Sequence, residues 1–298
     1  NNCTIARNSS NIEGVASDVT LDGDAESVTF VYVDSTKGWV LVGESLTQYG
    51  PAFVAATGGT ITTCGDFKIH KFTSPGTFTV TCAGNSGGSN TVDYLVVAGG
   101  GGGAHDRGGG GGAGGFRESS GAASGCYTIS PLGACVSALP VTAQGYPITV
   151  GSGGAGGPGP SAGVAGKGAN GSNSVFSTIT SAGGGGGAPG CANDGANPLA
   201  VQRAGLDGGA GGGGGSGNCG AGTAGSGNTP PVSPAQGKNG GVGEAASTGG
   251  AGGGGATTAG QNGGQGGGNN VGGDGGAGAT TVISGTSTGY AGGGGGGG

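Results

Sequence analysis

Two apolar stretches near the N-terminus predict a β-hairpin. Residues 28–33 and 39–42 are rich in β-branched and aromatic side chains, and the five residues between them end in Gly38, as hairpin turns often do. The second stretch has no polar alternation, and a strand that is apolar on both faces needs cover on both. We therefore expect residues 1–50 to associate with identical copies of the chain. The candidate interface residues are Val28, Phe30, Tyr32, Trp39 and Leu41.

A second hairpin is predicted from residues 67–72 and 77–82. The turn between them is Ser74-Pro75-Gly76, a typical turn sequence. In its second strand Phe78, Val80 and Cys82 alternate with threonines, which favours one buried and one solvated face. Residues 51–98 are thus expected to form a small β domain.

After residue 98 the apolar pattern is replaced by runs of glycine. Examples are residues 99–103, 108–112, 183–187, 211–215, 252–255 and 292–298. Glycine loses more conformational freedom on folding than any other residue, so an ordered run needs compensating contacts. Extended left-handed helices with three residues per turn direct every N–H and C=O outward, and glycine lets such helices approach until they bond to one another. The glycine runs therefore predict that residues 99–298 form a polyglycine-II helix sandwich.

In such a lattice the residues between runs become turns, and the longer ones project as loops. The three candidate loops are residues 104–107, 118–139 and 188–206. Their aromatic, apolar and basic side chains suit a recognition surface. The candidate receptor-binding residues are His105, Arg107, Tyr127, Leu132, Leu199 and Arg203.

Composition decides between this prediction and two alternatives. Glycine supplies 88 of the 298 residues, against about 7% in ordinary proteins. Disorder usually combines low hydrophobicity with high charge, whereas here only 8% of the residues are charged and apolar segments recur. Collagen requires glycine at every third position only, which the runs violate. The fold class is therefore mainly β and irregular, with N-terminal hairpins, a polyglycine-II sandwich and almost no α-helix.

Charge and chemistry-bearing residues argue against several functions. The net charge is −6 and the nine Lys and Arg are scattered, so we expect no nucleic-acid partner. No apolar run is long enough for a membrane span. The two histidines, His70 and His105, lack neighbouring ligands or a nucleophile, and matches to G-x-G-x-x-G are inevitable in this composition. We expect no enzyme activity, cofactor or metal.

Seven cysteines flank the predicted segments, and no pair has the C-x-x-C spacing of a zinc or redox site. They suggest loop-stapling disulfides in an extracellular or particle-borne protein. The expected pairs are Cys64 with Cys82, Cys126 with Cys135, and Cys191 with Cys219, with Cys3 free or bonded elsewhere. Seven free thiols remain the alternative. Since the chain starts without Met and stops within a glycine run, we also expect it to be part of a longer polypeptide.

The segment Tyr-Leu-Val-Val-Ala-Gly at residues 94–99, with its glycine run, resembles the glycine-rich modules of bacteriophage tail-fibre and receptor-binding proteins. Residues 146–157 and 172–184 resemble later parts of that module, and residues 28–42 resemble hairpins of trimeric virion fibres. The resemblance implies a virion location, a homotrimer, and partners among other fibre or tail proteins and a bacterial surface glycan or outer-membrane protein. Two alternatives stay open: a non-adhesive virion protein, such as a decoration, head fibre or neck spacer, and an extracellular matrix or ice-binding protein.

Overall fold

The computed structural model describes residues 3–21, 28–42, 52–85, 88–121, 127–133, 136–159, 166–190, 200–217, 220–245, 249–264 and 271–298. The chain divides into two compact units. The first contains Asn1–Phe53 and Gly84–Ser89, and the second contains Val54–Ala83 and Asn90–Gly298. These boundaries differ from the predicted divisions at residues 50 and 98, because residues 54–83 belong to the glycine-rich unit. The roles assigned to the predicted domains remain predictions.

The first unit contains two small antiparallel sheets. Strand β1 (Cys3–Ile5) pairs with β2 (Val19–Leu21), and β3 (Phe30–Asp34) pairs with β4 (Gly38–Leu41). The predicted first hairpin is therefore confirmed. Its turn is held by Asp34, whose Oδ1 accepts hydrogen bonds of 2.7 Å from the backbone N–H groups of Thr36 and Lys37. The bonds to Lys37 and Thr36 lower the pKa of the Asp34 carboxyl.

The second unit contains the remaining strands, all antiparallel, and one 3-10 turn, η1 (Ala200–Arg203). Among the described residues there is no α-helix, and no helix is long and apolar enough to cross a bilayer. The strands are β5 (Val54–Thr57), β6 (Thr60–Cys64), β7 (Phe67–Lys71), β8 (Gly76–Ala83), β9 (Thr91–Val92), β10 (Leu95–Val97), β11 (Phe116–Glu118), β12 (Leu139–Pro140), β13 (Gly145–Thr149), β14 (Ser174–Phe176), β15 (Ile179–Ser181), β16 (Ala279–Thr281) and β17 (Thr288–Tyr290).

The largest sheet has five strands in the order β15-β14-β13-β8-β5. The buried side chains of Phe78, Val80, Val141 and Tyr146 form its core. Phe176 packs edge-on against Phe78, with ring centroids 5.8 Å apart. This aromatic cluster is one of two places in the unit where large apolar residues gather, and the other surrounds Phe116.

The predicted pairing of the second hairpin is wrong, although both of its strands exist. β7 pairs with β6, and β8 pairs with β5 and β13. The reason lies in the turn between β6 and β7, where Cys64 lies opposite Phe67 and only Gly65 and Asp66 intervene. Gly65 has a φ of 57°, which suits a two-residue hairpin loop. This tight turn pairs β7 with β6, so β7 does not form the predicted pair with β8 across the Pro-Gly turn.

The glycine runs form neither strands nor α-helices, and their hydrogen bonds recur every three residues. The amides of one segment that share a neighbour are three residues apart, as in the donations from Ala98, Gly101 and Ala104 to the carbonyl oxygens of Gly115, Gly112 and Gly109. A β-ladder would pair with a period of two, and an α-helix would bond within itself. A period of three is that of the extended left-handed helix. The predicted polyglycine-II sandwich is thus confirmed.

The interior of this lattice is made of peptide groups. Four segments are buried along their length, namely residues 108–116, 182–190, 208–217 and 249–256. The few side chains among them are small, and Ala188, Ala210, Ala251 and Ala256 are 0% exposed. Neighbouring backbones lie so close that a Cβ added at Gly112 would be 2.2 Å from the carbonyl oxygen of Ala210. Backbone hydrogen bonds and close backbone contacts replace the usual apolar core.

The segments run back and forth between two ends of the lattice. One end, which we call the strand end, contains Phe116 at the start of β11. There the N–H of Gly115 donates to the carbonyl of Ala182 and the N–H of Phe116 donates to that of Gln236. The opposite end, which we call the loop end, contains the turn at residues 104–107. There the Asp106 carbonyl accepts from the N–H of Gly190, and the Ser216 hydroxyl accepts from the N–H of Glu244. The turns between ascending and descending segments therefore gather at two surfaces, as the sequence predicts.

Candidate binding surface at the loop end

The turn at residues 104–107 is the best-defined part of the loop end. Asp106 and Arg107 have φ values of 49° and 50°, a left-handed conformation that reverses the chain within a few residues. The N–H of His105 donates to the carbonyl of Gly166 at 2.9 Å, and the N–H of Gly190 donates to that of Asp106 at 3.1 Å. Two other segments thus fix the backbone of this turn.

The turn presents charged and polar side chains to solvent. His105 and Asp106 are exposed, and Arg107 is half-buried. Lys167, next to Gly166, is also half-buried, and burial lowers the pKa of its ammonium group. A surface with imidazole, guanidinium, ammonium and carboxylate groups can donate to and accept from hydroxyl-rich or acidic ligands. Asp106 lies in the candidate loop of residues 104–107 but was not named there as a binding residue, and sequence reasoning missed Lys167, which lies between two single glycines.

Two candidate receptor residues lie at the strand end and pack inward. Leu132 contacts the buried cluster of Phe116, Ala256 and Ala279. The Tyr127 hydroxyl donates to the Ser119 carbonyl oxygen at 3.5 Å. Burial raises the pKa of Tyr127 to about 12, against a smaller opposing effect of the hydrogen bond. Both side chains are half-buried, and receptor contact remains a prediction for them.

Arg203 lies at the loop end but is 7% exposed. Its guanidinium approaches Gly220, where an added Cβ would be 3.3 Å from Nη2, and its carbonyl accepts from Gly215. Leu199 lies outside the described residues. The structure therefore brings His105 and Arg107 together at an accessible surface, and receptor contact remains a prediction for them.

The N-terminal hairpin exposes apolar side chains, as the predicted interface requires. Val28, Phe30 and Leu41 are half-buried, while Tyr32 and Trp39 are 48% and 41% exposed. The Tyr32 and Trp39 rings meet edge-on at 5.4 Å. The neighbouring valines are exposed too: Val31, Val33 and Val42. Several exposed apolar side chains on one small hairpin are typical of a protein interaction surface.

The predicted disulfide between Cys64 and Cys82 is wrong, since both are free, exposed thiols. The two residues lie in different sheets, because Cys64 pairs with Phe67 across the β6–β7 turn and Cys82 pairs with Ala55 in the five-stranded sheet. Cys126, Cys135, Cys191 and Cys219 lie outside the described residues. In the described part of the chain, no three His, Cys, Asp or Glu side chains gather where a metal ion would bind.

The sequence did not predict a buried polar cluster that lies at the strand end. The buried Glu118 accepts through Oε2 from the N–H of Ser130 at 2.9 Å, and through Oε1 from the hydroxyl of Thr281. No local sequence signal marks this cluster, because Glu118 and Thr281 are 163 positions apart. It joins β11 to β16 and closes the strand end.

Comparison with known proteins identifies a glycine-rich domain in the chain. The sequence profile of the glycine-rich domain matches residues 73–298, which is well over half of the chain. The chain belongs to the glycine-rich domain family. This glycine-rich domain covers the whole lattice and the five-stranded sheet except for β5. No curated protein and no solved structure matches the chain.

Proposed function

We propose that this chain is a structural component of a bacteriophage virion fibre, and that its loop end binds the surface of the host cell. The observation that carries the proposal is that the scaffold and the candidate binding side chains occupy separate parts of one unit. Peptide groups hold the lattice, while side chains with recognition chemistry lie in the connections between segments. Such connections can change without disturbing the scaffold, which is how binding loops are generally supported.

The accessible charges at the loop end suit a bacterial surface glycan or an outer-membrane protein. His105, Asp106 and Arg107 offer both donors and acceptors, and their turn is anchored by two neighbouring segments. A preorganised turn loses little conformational freedom on binding, which favours affinity. The resemblance to phage fibre modules and the exposed hairpin support the same role, with trimeric assembly through residues 28–42.

Removal of the loop-end side chains is expected to weaken adsorption to host cells. The double variant His105→Ala/Arg107→Ala should reduce the apparent affinity by about tenfold or more, because a few central residues usually carry most binding energy. Adsorption of fluorescently labelled protein to host cells would measure it. The control is Lys68→Ala/Lys71→Ala, which removes two exposed side chains of β7. Equal adsorption by both variants would contradict the proposal and favour a non-adhesive virion protein.

Assembly through the hairpin is tested by a charge placed on its apolar surface. Val33 is 56% exposed, so Val33→Lys should leave the monomer folded. It should weaken trimerisation by about 100-fold, because an unpaired charge is costly to bury. Light scattering should detect a native trimer of about 80 kDa, three times the 26.8 kDa chain, and a variant monomer.

Val15→Lys is the matched control, because Val15 is 57% exposed in the same unit but outside the hairpin. It should remain trimeric. A native protein that is monomeric, or an unaffected Val33→Lys trimer, would disprove assembly through the hairpin.

A further inference from the structure

A groove of about 360 Å³ runs between three lattice segments, residues 98–104, 108–115 and 291–298. Glycine and alanine line nearly all of it, with Val97 the largest side chain. The groove contains no aromatic or charged side chain. Its walls are therefore almost entirely backbone, and their hydrogen-bonding groups determine what can bind there.

The central wall of the groove carries a row of unused peptide donors. A helix with three residues per turn has three rows of N–H groups. In residues 108–115, the row containing Gly109 and Gly112 donates to residues 182–188, and the row containing Gly110 and Ala113 donates to residues 251–254. The third row contains Gly111 and Gly114, whose N–H groups donate no hydrogen bond to any described residue.

The two side walls repeat this arrangement. In residues 98–104, Gly101 and Gly102 donate to different neighbours, whereas Gly100 and Gly103 donate to no described residue. In residues 291–298, Gly293 and Gly294 donate to different neighbours, whereas Gly292 and Gly295 donate to none of the residues that the structure describes. All six unused amides line the groove, namely Gly100, Gly103, Gly111, Gly114, Gly292 and Gly295.

The unused row is unusual for a buried segment. Every residue from Gly250 to Ala256 donates its N–H to another described residue. Gly111 and Gly114 are buried too, and an unpaired buried donor costs about 1–3 kcal/mol. Buried amides are normally paired, so the unused row of Gly111 and Gly114 indicates a position in the lattice that a further chain segment fills. The half-buried Gly100 and the exposed Gly103, Gly292 and Gly295 lie on either side of that position.

We propose that the groove binds a glycine-rich segment of another polypeptide in the three-residue-per-turn conformation. On each wall the free donors are three residues apart, about 9 Å at a rise of 3.1 Å per residue, which matches the carbonyls of such a helix. A β-strand presents its groups at a period of two residues. The bound segment needs glycine where it faces the walls, whereas its outward face has space for side chains. A Gly-Gly-X repeat satisfies both conditions.

The lining disfavours a glycan in this position. Sugar rings bind proteins largely through aromatic faces and charged or amide side chains, and this groove has none. Carbonyl oxygens of a peptide accept from the six amides directly. This inference is independent of the virion role, because it depends only on the lattice.

NMR titration of ¹⁵N-labelled protein with a soluble Gly-Gly-Ser repeat peptide tests the proposal. The amides of Gly100, Gly103, Gly111, Gly114, Gly292 and Gly295 should shift, and their hydrogen exchange should slow by at least about tenfold as they become bonded. The already bonded Gly101 and Gly112 should change little. The absence of shifts at millimolar peptide, or shifts confined to other residues, would overturn it.

A blocking variant and a matched control make the test specific. A Cβ added at Gly103 meets nothing closer than 4.0 Å, and one at Gly156, which does not line the groove, meets nothing closer than 3.8 Å. Gly103→Leu should weaken peptide binding by more than about tenfold, whereas Gly156→Leu should bind normally. Equal binding by the two would overturn the proposal, as would a bacterial surface glycan that produces the six shifts where the peptide does not. If the six amides exchange slowly without peptide, and more slowly at higher protein concentration, the groove is instead filled by a second copy of this chain.

Discussion

Gly112→Ala is expected to destabilise the glycine-rich unit severely. A Cβ at this position would lie 2.2 Å from the carbonyl oxygen of Ala210 and 2.6 Å from that of Gly211. Both atoms belong to the backbone of a buried segment, so no side chain can rotate away. Overpacking of a core typically costs 1–3 kcal/mol, and a rigid lattice places the cost at about 3 kcal/mol or more. Thermal unfolding followed by calorimetry would measure the loss.

Gly100→Ala is the matched control, and it should have the opposite sign. A Cβ at Gly100 would meet nothing closer than 3.6 Å, and its φ is not left-handed. Replacing a compatible glycine by alanine stabilises a protein by about 0.4–1 kcal/mol, because the unfolded chain loses freedom. If both variants had the same stability, peptide groups would not be packed as described.

Glu118→Ala should have the second largest effect. Glu118 is 2% exposed and accepts from the N–H of Ser130 and the hydroxyl of Thr281. Its removal leaves two buried donors without this acceptor, which costs about 3 kcal/mol at 1–3 kcal/mol per group. The midpoint of thermal unfolding should fall by about 6–12 °C at 2–4 °C per kcal/mol.

Glu244→Ala provides the comparison, since Glu244 is exposed and engages its neighbours through its backbone. Its effect should stay within about 0.5 kcal/mol. An unfolding midpoint that is the same for Glu118→Ala and Glu244→Ala would show that the buried carboxylate does not close the strand end.

The lattice could be predicted from the sequence because a long glycine run has few ordered solutions. Runs such as residues 108–112 lack side chains to bury, so bonds between extended helices are the main compensation available. The hairpin that contains Tyr32 and Trp39 could also be predicted from the sequence, because its strand pattern and its turn are local features.

Long-range partners could not be predicted in the same way. The pairing of β7 depends on competition between two turns, and the decisive one is the two-residue turn at Gly65 and Asp66. Leu132 was assigned to a projecting loop by composition, but it packs against the buried cluster of Phe116, Ala256 and Ala279, because burial removes its apolar surface from water. The bond between Glu118 and Thr281 joins distant segments and has no local signature.

The most direct test of the central claim is amide hydrogen exchange along residues 108–116, resolved by NMR. Direct bonds between threefold helices predict a period of three. The amides of Gly109, Gly110, Gly112 and Ala113 are bonded and should exchange slowly, while those of Gly111 and Gly114 face the groove and should exchange at least about tenfold faster. Uniform protection, a period of two, or no protection at all would contradict a lattice held together by its peptide groups.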